Sequence, residues 1–250
     1  MSYLSGLLDT YAVPSGVEDV FRTNRERIEG VLTGNWATGN PRFYYGGSFI
    51  KRTMISADYD LDLVVYFAPT DRFTVRQFYE SVEQRLKQYG YIAHRHNVAI
   101  RLPYEGFHID VVPGRAIDNT YRYANLYASE RNTTKQTSLK VHIDLVRDGE
   151  NHDAIKILKL WRRCHGVPLR SFVLELAIRE ALFNHRDTDL GDRVWKFLGW
   201  LHTSFAGARL VDPANSNNVI SDDISAGDKQ AIVAAAARSR AQQNWQQIVW

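Results

Sequence analysis

The chain has 250 residues, of which 44% are hydrophobic, and a formal net charge of +3 at pH 7. This length allows one large domain or two packed lobes with a substantial apolar core. The single cysteine, Cys164, excludes an internal disulfide framework and a cysteine-based zinc site. The mild charge is more typical of a nucleotide-binding cleft than of a broad nucleic-acid surface, although it leaves the second open.

No stretch has the roughly 18 apolar residues of a membrane span, and the N-terminal segment lacks the regions of a secretory signal. We therefore expect a cytoplasmic protein that does not associate with a membrane. Composition changes near residue 145, from mixed strand and helix patterns to nearly all helix. We expect an α+β lobe over 1–145 and a helical lobe over 146–250, with a cleft between them.

Apolar periodicity and capping residues predict the elements of the first lobe. In chain order they are a helix over 17–32, a strand over 42–45, a helical turn over 48–53, an apolar strand ending at 67, a helix over 74–88 and strands over 97–102 and 107–112. Thr74 and Gln77 have the spacing of a capping box. Residues 103–106 form the expected hairpin connection between the last two strands.

The second half of the chain is predicted to be mainly helical. Residues 115–138 are polar and weakly patterned, so we expect a long loop with helical turns there. The elements expected after it are helices over 152–165, 171–182, 190–205 and 227–247, with Ser171 as a helix cap and a turn-rich loop over 211–225.

Gly46, Gly47 and Ser48 form a turn that suits a phosphate. Glycines let the backbone approach an anion closely, and Ser48 adds a hydroxyl beside free amides at the start of a helical turn. Lys51 and Arg52 follow closely enough to assist a triphosphate, or else form a solvated basic pair. A Gly-Gly-Ser sequence alone is usually only a turn, so its interpretation depends on the residues that follow.

Carboxylates at alternating positions lead directly into the apolar strand that ends at Phe67. Asp60 and Asp62 share one face of an extended chain, about 7 Å apart, and repel each other unless a cation lies between them. Oxygen ligands of this kind suit magnesium. The alternative is a solvated strand edge, but aspartate is a poor strand former and its position before a buried strand favours function. We interpret Asp58 as a loop residue, with the alternative that a one-step error in the register would bring it into the site.

Asp110 lies within an otherwise apolar strand. An unpaired buried carboxylate is costly, so Asp110 should have a partner. We expect that partner to be a metal shared with Asp60 and Asp62, and the alternative is a salt bridge or an edge position. His108, on the same face, is interpreted as a packing or hydrogen-bonding residue.

Together, Gly47-Ser48, Asp60-Leu61-Asp62 and the later Asp110 resemble the polymerase-β-type nucleotidyltransferase superfamily. Further stretches narrow the resemblance to the oligoadenylate synthetase and cyclic GMP-AMP synthase-like branch, whose bacterial members are called CD-NTases. These stretches are 60–67, 107–113, 157–161 with 169–176, and Asp212-Pro213 with Asn217-Asn218-Val219. The resemblance therefore covers most of the chain.

The resemblance implies a fold and an activity. The expected fold is a nucleotidyltransferase-type mixed sheet of five strands with flanking helices, joined to a C-terminal helical lobe. The expected activity is template-independent transfer of NMP from an NTP. The product would be a cyclic or short linear oligonucleotide second messenger, with a role in antiviral defence.

The resemblance also assigns roles to individual residues. Asp60, Asp62 and Asp110 match the catalytic acids, which would hold two Mg²⁺ ions (or Mn²⁺) about 3.5–4 Å apart. Gly47 and Ser48 match the triphosphate loop. The expected contacts of the helical lobe with the donor nucleotide are Lys159 and Ser171 to the phosphates and Phe172 to the base. The alternatives are a solvated helix lysine for Lys159 and a core residue for Phe172.

Partners and rival functions remain open from the sequence. With one cysteine the chain cannot hold the zinc thumb of the animal DNA sensor, which favours the small bacterial type. The resemblance to that type implies NTP substrates and either constitutive activity or control by a regulatory protein. RNA as activator or acceptor stays open. The rival activity is nucleotide transfer to a macromolecule, either a tRNA 3′ end or a protein side chain. A rival from another class is a nucleotide-binding module without turnover.

Overall fold

The protein is described by a computed structural model that covers residues 2–34, 36, 39–183 and 189–250. These residues form two compact units. We call Val13–Met54 with Asp58–Leu145 the sheet unit, and Met1–Ala12 with Ile55–Ala57 and Val146–Trp250 the helical unit. Two short segments, 1–12 and 55–57, thus group with the C-terminal helices.

Helices and strands alternate in the first half of the chain, and helices dominate the second half. The helices are α1 (Tyr3–Thr10), α2 (Val17–Leu32), α3 (Gly47–Ile50), α4 (Val75–Gln88), α5 (Leu139–Arg147), α6 (His152–Cys164), α7 (Ser171–Ala181), α8 (Leu190–Thr203) and α9 (Ala226–Arg240). The strands are β1 (Arg42–Tyr45), β2 (Leu61–Phe67), β3 (His94–His96), β4 (Ala99–Tyr104), β5 (Phe107–Ala116), β6 (Ala124–Ala128), β7 (Thr133–Thr137), β8 (Val211–Asp212) and β9 (Asn215–Val219). Within the described ranges, every helix is too short or too polar to span a bilayer.

In the part of the chain that the structure describes, the sheet unit is built on one seven-stranded mixed sheet. Its strand order is β1-β2-β5-β4-β3, and β6 pairs with the end of β5 and with β7. The β2–β5 pair is parallel, and the other pairs are antiparallel. The mixed sheet was expected, but the expected number of five strands was wrong.

One face of the sheet carries the main apolar core. Alternate residues of β2, from Leu61 to Phe67, point to this face and pack against α2 and α4. The predicted bounds of α2 are confirmed, and α4 begins with the predicted capping box. In that box the Gln77 amide donates to Thr74 Oγ1 over 3.2 Å, and the Thr74 amide donates to Gln77 Oε1 over 2.8 Å.

The opposite face of the sheet is apolar only in part. Val64 and Tyr66 of β2 pack there with Ala124 and Leu126 of β6 in a smaller buried cluster. Asp62 precedes Val64 by two positions and therefore lies on this face, where β2 begins. On this face, β2 therefore presents a carboxylate at its start and apolar side chains further along.

The helical unit has its own buried core, to which α6, α7, α8 and α9 contribute. Trp161 of α6 is fully buried, and its indole nitrogen donates to Ser239 Oγ of α9 over 2.8 Å. The Asp212-Pro213 and Asn217-Asn218 motifs form the β8–β9 hairpin. There, Asn218 donates to the buried Asp212 carboxylate over 3.0 Å, so the two motifs form a single structural feature.

Several sequence predictions were wrong in detail. The expected loop over 115–138 instead contains the end of β5 and strands β6 and β7. The expected turn-rich loop over 211–225 contains the β8–β9 hairpin. Arg170, rather than Ser171, occupies the cap position of α7, and α9 ends at Arg240.

The hairpin between β4 and β5 also differs from its prediction. Tyr104 pairs with Phe107, so the connection is the two-residue turn Glu105-Gly106 and not a four-residue turn. Gly106 has a φ of 78°, a backbone conformation that glycine adopts without strain. The shorter turn determines which residue of β4 lies opposite Asp110.

Candidate active site

The structure brings the three predicted carboxylates together at one end of the sheet. Asp62 of β2 is in register with Asp110 of β5, and residues in register on neighbouring strands point to the same face. Asp60 lies just before β2, where its Oδ1 accepts a hydrogen bond of 3.1 Å from the His108 backbone amide. The Nδ1 atom of the His108 ring lies 3.5 Å from the same oxygen, and the role of this side chain in packing or hydrogen bonding stays a prediction.

Arg101 is a fourth charged residue in this row. It lies on β4 directly opposite Asp110, and its guanidinium donates to both carboxylate oxygens, over 2.8 Å to Oδ1 and 2.6 Å to Oδ2. The salt bridge that the sequence left as an alternative for Asp110 is therefore present. Sequence reasoning missed Arg101, because the four-residue turn predicted after β4 gives a different register.

Asp62 has an unusual electrostatic environment. Burial raises the pKa of its carboxyl group to about 7, and the carboxylates of Asp110 and Asp60 add to the effect. The positive charges of Lys51 and Arg101 act in the opposite direction. A carboxylate surrounded in this way is stabilised by any further positive charge placed beside it.

The Gly-Gly-Ser turn packs directly against Asp62. The Gly46 amide donates to the Asp62 backbone oxygen over 2.8 Å, and α3 begins at the next residue, Gly47. Gly47 has a φ of 57°, and a Cβ at this position would overlap the Asp62 carboxylate. The predicted phosphate turn and the predicted metal-binding strand are thus adjacent, and this adjacency requires a glycine.

Lys51 and Arg52 have different environments. Lys51 is buried, with 8% of its surface exposed, and its charge acts on Asp62. Arg52 is exposed. The solvated basic pair is therefore wrong for Lys51, whose buried charge belongs to the acidic site. Asp58 lies before β2 and is exposed, in agreement with its exclusion from the set of acids.

The chemistry of the donor set fits a divalent cation. Among the described residues, no three acidic, histidine or cysteine side chains are already arranged as a metal cluster. The oxygens of Asp110 are held by Arg101, and Asp60 is held by the His108 amide. The three residues nevertheless offer carboxylate oxygens side by side, where like charge and burial disfavour ionisation of Asp62. Hard cations with oxygen ligands suit such a set.

The three predicted nucleotide contacts of the second half lie in the helical unit. Lys159 is on α6 with 3% of its surface exposed, so the interpretation as a solvated helix lysine is wrong. Ser171 and Phe172 are the first two residues of α7, and both are partly buried. Their assignment to the donor nucleotide stays a prediction.

Comparison with known proteins gives matches in structure only. No family model matches the chain, and no curated protein matches its sequence. CdnC of E. coli MS115-1, solved as a complex with HORMA-deltaN, superposes with a TM-score of 0.77 at 16% identity, over 98% of this chain and 95% of that chain. CdnG of Bradyrhizobium diazoefficiens, a CD-NTase solved with GTP, gives 0.74 at 15% identity, over 97% and 93%.

The chain has the CD-NTase fold. Vibrio cholerae DncV, a cyclic AMP-GMP synthase described as a prokaryotic cGAS homolog, gives a TM-score of 0.68 at 19% identity, over 84% of this chain and 68% of that chain. The expected fold class is thereby confirmed, as a nucleotidyltransferase-type mixed sheet with helices and a helical C-terminal part. At these identities the likeness establishes the fold, and the activity is inferred from the site.

Proposed function

We propose that the protein is a template-independent nucleotidyltransferase that joins NTPs into a cyclic or short linear oligonucleotide. One observation carries the proposal: Asp62 lies in register with Asp110, beside Asp60, and packs against the Gly46-Gly47-Ser48 turn. Phosphoryl transfer needs a cation-binding acid set and a backbone that can approach phosphate closely. The row of acids and the glycine turn are adjacent on a fold shared with solved CD-NTases, and this arrangement supports the proposal.

In this mechanism Asp60, Asp62 and Asp110 would hold divalent cations, Mg²⁺ or Mn²⁺. When bound, such ions activate an attacking hydroxyl and neutralise the transferring phosphate. Gly47 lets the backbone approach the triphosphate, and the Ser48 hydroxyl donates to a phosphate oxygen. The roles of Lys159, Ser171 and Phe172 at the donor nucleotide rest on the sequence resemblance.

The protein contributes positioning and charge, because little covalent chemistry is required of its side chains. Buried Lys51 supplies a positive charge that acts on Asp62 and opposes repulsion among the carboxylates. Fixed charges in a partly buried site stabilise a developing charge without reorganisation at the moment of reaction. Holding the attacking hydroxyl in line with the phosphate then provides most of the remaining acceleration.

The solved neighbours suggest substrates and regulation. CdnC has been solved with ATP and in a complex with HORMA-deltaN, CdnG with GTP, and DncV is a cyclic AMP-GMP synthase. By analogy, we infer NTP substrates, a cyclic oligonucleotide product and a regulatory protein partner for this chain. We place the activity in cytoplasmic signalling, with a role in antiviral defence.

The proposal is tested by following α-labelled ATP, GTP, CTP and UTP, singly and mixed, with Mg²⁺ or Mn²⁺. We expect label in a small phosphatase-resistant product from the unchanged protein and none from Asp62→Asn. Asp58→Asn is the matched control, because Asp58 is an exposed acid close in sequence but outside the row of carboxylates. Its product should equal that of the unchanged protein.

Other outcomes separate the rival activities. Label that moves with RNA or protein would identify a macromolecular acceptor and overturn the oligonucleotide product. Nucleotide binding without any transfer of label would exclude constitutive synthesis by the chain alone, and would leave a missing regulatory protein, a missing macromolecular acceptor or a binding module as the explanation. The same product from Asp62→Asn and the unchanged protein would overturn the assignment of the acids.

A further inference from the structure

Arg101 has no role in the mechanism described above, although it contacts one of the acids directly. Its guanidinium forms a fork with both oxygens of Asp110 over 2.6–2.8 Å. The pair is largely shielded, since 29% of the Arg101 side chain and 10% of the Asp110 side chain are exposed. Two-point guanidinium–carboxylate pairs of this kind are stronger and more directional than single contacts.

The backbone holds this pair in place. Arg101 and Asp110 are opposite each other in the β4–β5 ladder, which closes through the two-residue turn at Glu105-Gly106. Directly opposite residues of an antiparallel pair have adjacent side chains on one face. The contact is therefore set by the register of the sheet and does not depend on a flexible surface side chain.

Arg101 acts on the whole acid set. Its charge interacts favourably with Asp60 and Asp62 as well as with Asp110. A cation brought to these carboxylates would meet a fixed positive charge and a carboxylate whose two oxygens already accept hydrogen bonds. Without a bound metal, the guanidinium offsets the repulsion among the carboxylates, so its removal would raise the energy of the acid set. With a metal bound, the charge of the metal already offsets this repulsion, so the same removal would raise the energy less.

We propose that Arg101 is a positioning residue that holds Asp110 and competes with divalent cations for it, so that it sets the metal affinity of the site. The inference rests on the proposed function, because it takes the acid set to be the metal site. Arg101 keeps Asp110 aligned with Asp62 before a metal binds, and it weakens binding of that metal.

The test measures Mn²⁺ binding by electron paramagnetic resonance and thermal unfolding in EDTA, at fixed pH and ionic strength. For Arg101→Gln we expect Mn²⁺ to bind roughly three- to tenfold more tightly than to the unchanged protein. We also expect a lower Tm in EDTA and a larger rise of Tm on adding Mn²⁺. Arg101→Lys keeps the charge but not the fork, so its Mn²⁺ affinity should lie between the two.

Arg95→Gln is the matched control. Arg95 is on the adjacent strand β3, and its guanidinium pairs with the Glu83 carboxylate of α4 over 2.8 Å. On β3, His94 pairs with Arg101 and Arg95 is the next residue. Because successive side chains of a strand point to opposite faces, Arg95 points to the face of the sheet away from Arg101. Its loss should lower Tm without changing Mn²⁺ affinity.

The outcomes distinguish this inference from the proposed function. Equal or weaker Mn²⁺ binding by Arg101→Gln, or by Arg101→Lys where the first variant does not fold, would overturn the role of Arg101 alone. Mn²⁺ binding that is the same in the unchanged protein and in Asp62→Asn would show that the acids are not the metal site. That result would overturn both the role of Arg101 and the proposed function.

Discussion

The carboxyl group of Asp62 links the electrostatics of the site to the stability of the protein. Its pKa of about 7, against an ordinary value of 3.8, follows first from burial and then from the neighbouring acids. Between these two values the folded protein binds a proton at Asp62 that the unfolded chain has released. The contribution of Asp62 to the free energy of unfolding therefore falls as pH rises through this range, and it changes no further above about pH 8.

This sign gives a prediction for the protein in EDTA. Raising the pH from about 5 to about 8 should lower the Tm of the unchanged protein by at least about 2 °C more than that of Asp62→Asn, which cannot ionise there. Thermal unfolding at the two pH values measures the difference. Identical pH dependence in the two proteins would show that Asp62 ionises normally.

Gly47 allows a second prediction about a single residue. A Cβ in Gly47→Ala would overlap the Asp62 carboxylate, and the positive φ adds strain. We expect a loss of about 1–3 kcal/mol in the free energy of unfolding. Since small displacements at a reacting centre are costly, nucleotide transfer should fall about 100-fold.

Gly30→Ala provides the control for this substitution. Gly30 lies within α2, has no positive φ, and has open space where a Cβ would be added. Its replacement should leave activity unchanged and raise the free energy of unfolding by up to about 1 kcal/mol. Equal effects of the two substitutions, measured by denaturant unfolding and transfer rates, would contradict the proposed contact of Gly47 with Asp62.

At the scale of secondary-structure elements, α4 links the capping box to the core beneath the sheet. Thr74 and Gln77 satisfy two backbone amides at its N-terminus, and its apolar side chains pack against β2. Thr74→Ala should lower the free energy of unfolding by about 1 kcal/mol, whereas Gln77→Glu keeps the box and should change it little. Denaturant unfolding measures both variants, and equal values would contradict the cap.

The elements also show where prediction from sequence succeeds. The helices over 17–32 and 152–165 and the strand ending at Phe67 were predictable, because their apolar spacing has one clear period. Strand β7 was not, since its sequence is polar throughout and its residues are mostly exposed, and among the described residues it pairs only with β6. Such an edge strand is stabilised by backbone hydrogen bonds, which produce no pattern of apolar residues in the sequence.

The Arg101–Asp110 pair shows a second limit of the sequence. A four-residue turn at 103–106 would place Ala99 opposite Asp110, whereas the two-residue turn places Arg101 there. The positive φ of Gly106 agrees with a tight turn, and a Glu-Gly pair between two strands was the available signal. An error of two residues in a turn therefore hid one charged neighbour of the candidate site.

At the scale of the whole molecule, the glycine turn and the Asp60–Asp62 pair were recognisable because each is a local motif, whereas Asp110 was recognisable as a carboxylate in an otherwise apolar strand. The parallel pairing of β2 with β5 brings Asp110 beside Asp62, and the antiparallel pairing of β1 with β2 brings the glycine turn there, and spacing alone specifies neither pairing. The fold is shared with solved CD-NTases at 15–19% identity. At identities this low, the chains are similar in the arrangement of their strands and helices rather than in their sequences.

The positions proposed for the metal and the triphosphate are tested most directly by crystals grown with Mn²⁺ and a non-hydrolysable ATP analogue, in which anomalous scattering locates the Mn²⁺. We predict Mn²⁺ in contact with the carboxylates of Asp62 and Asp110, and a triphosphate against the Gly46-Gly47-Ser48 turn. The same crystals of Asp62→Asn should lose the Mn²⁺ signal. Nucleotide bound away from this turn, or Mn²⁺ absent from the carboxylates while nucleotide is bound, would contradict the central claim.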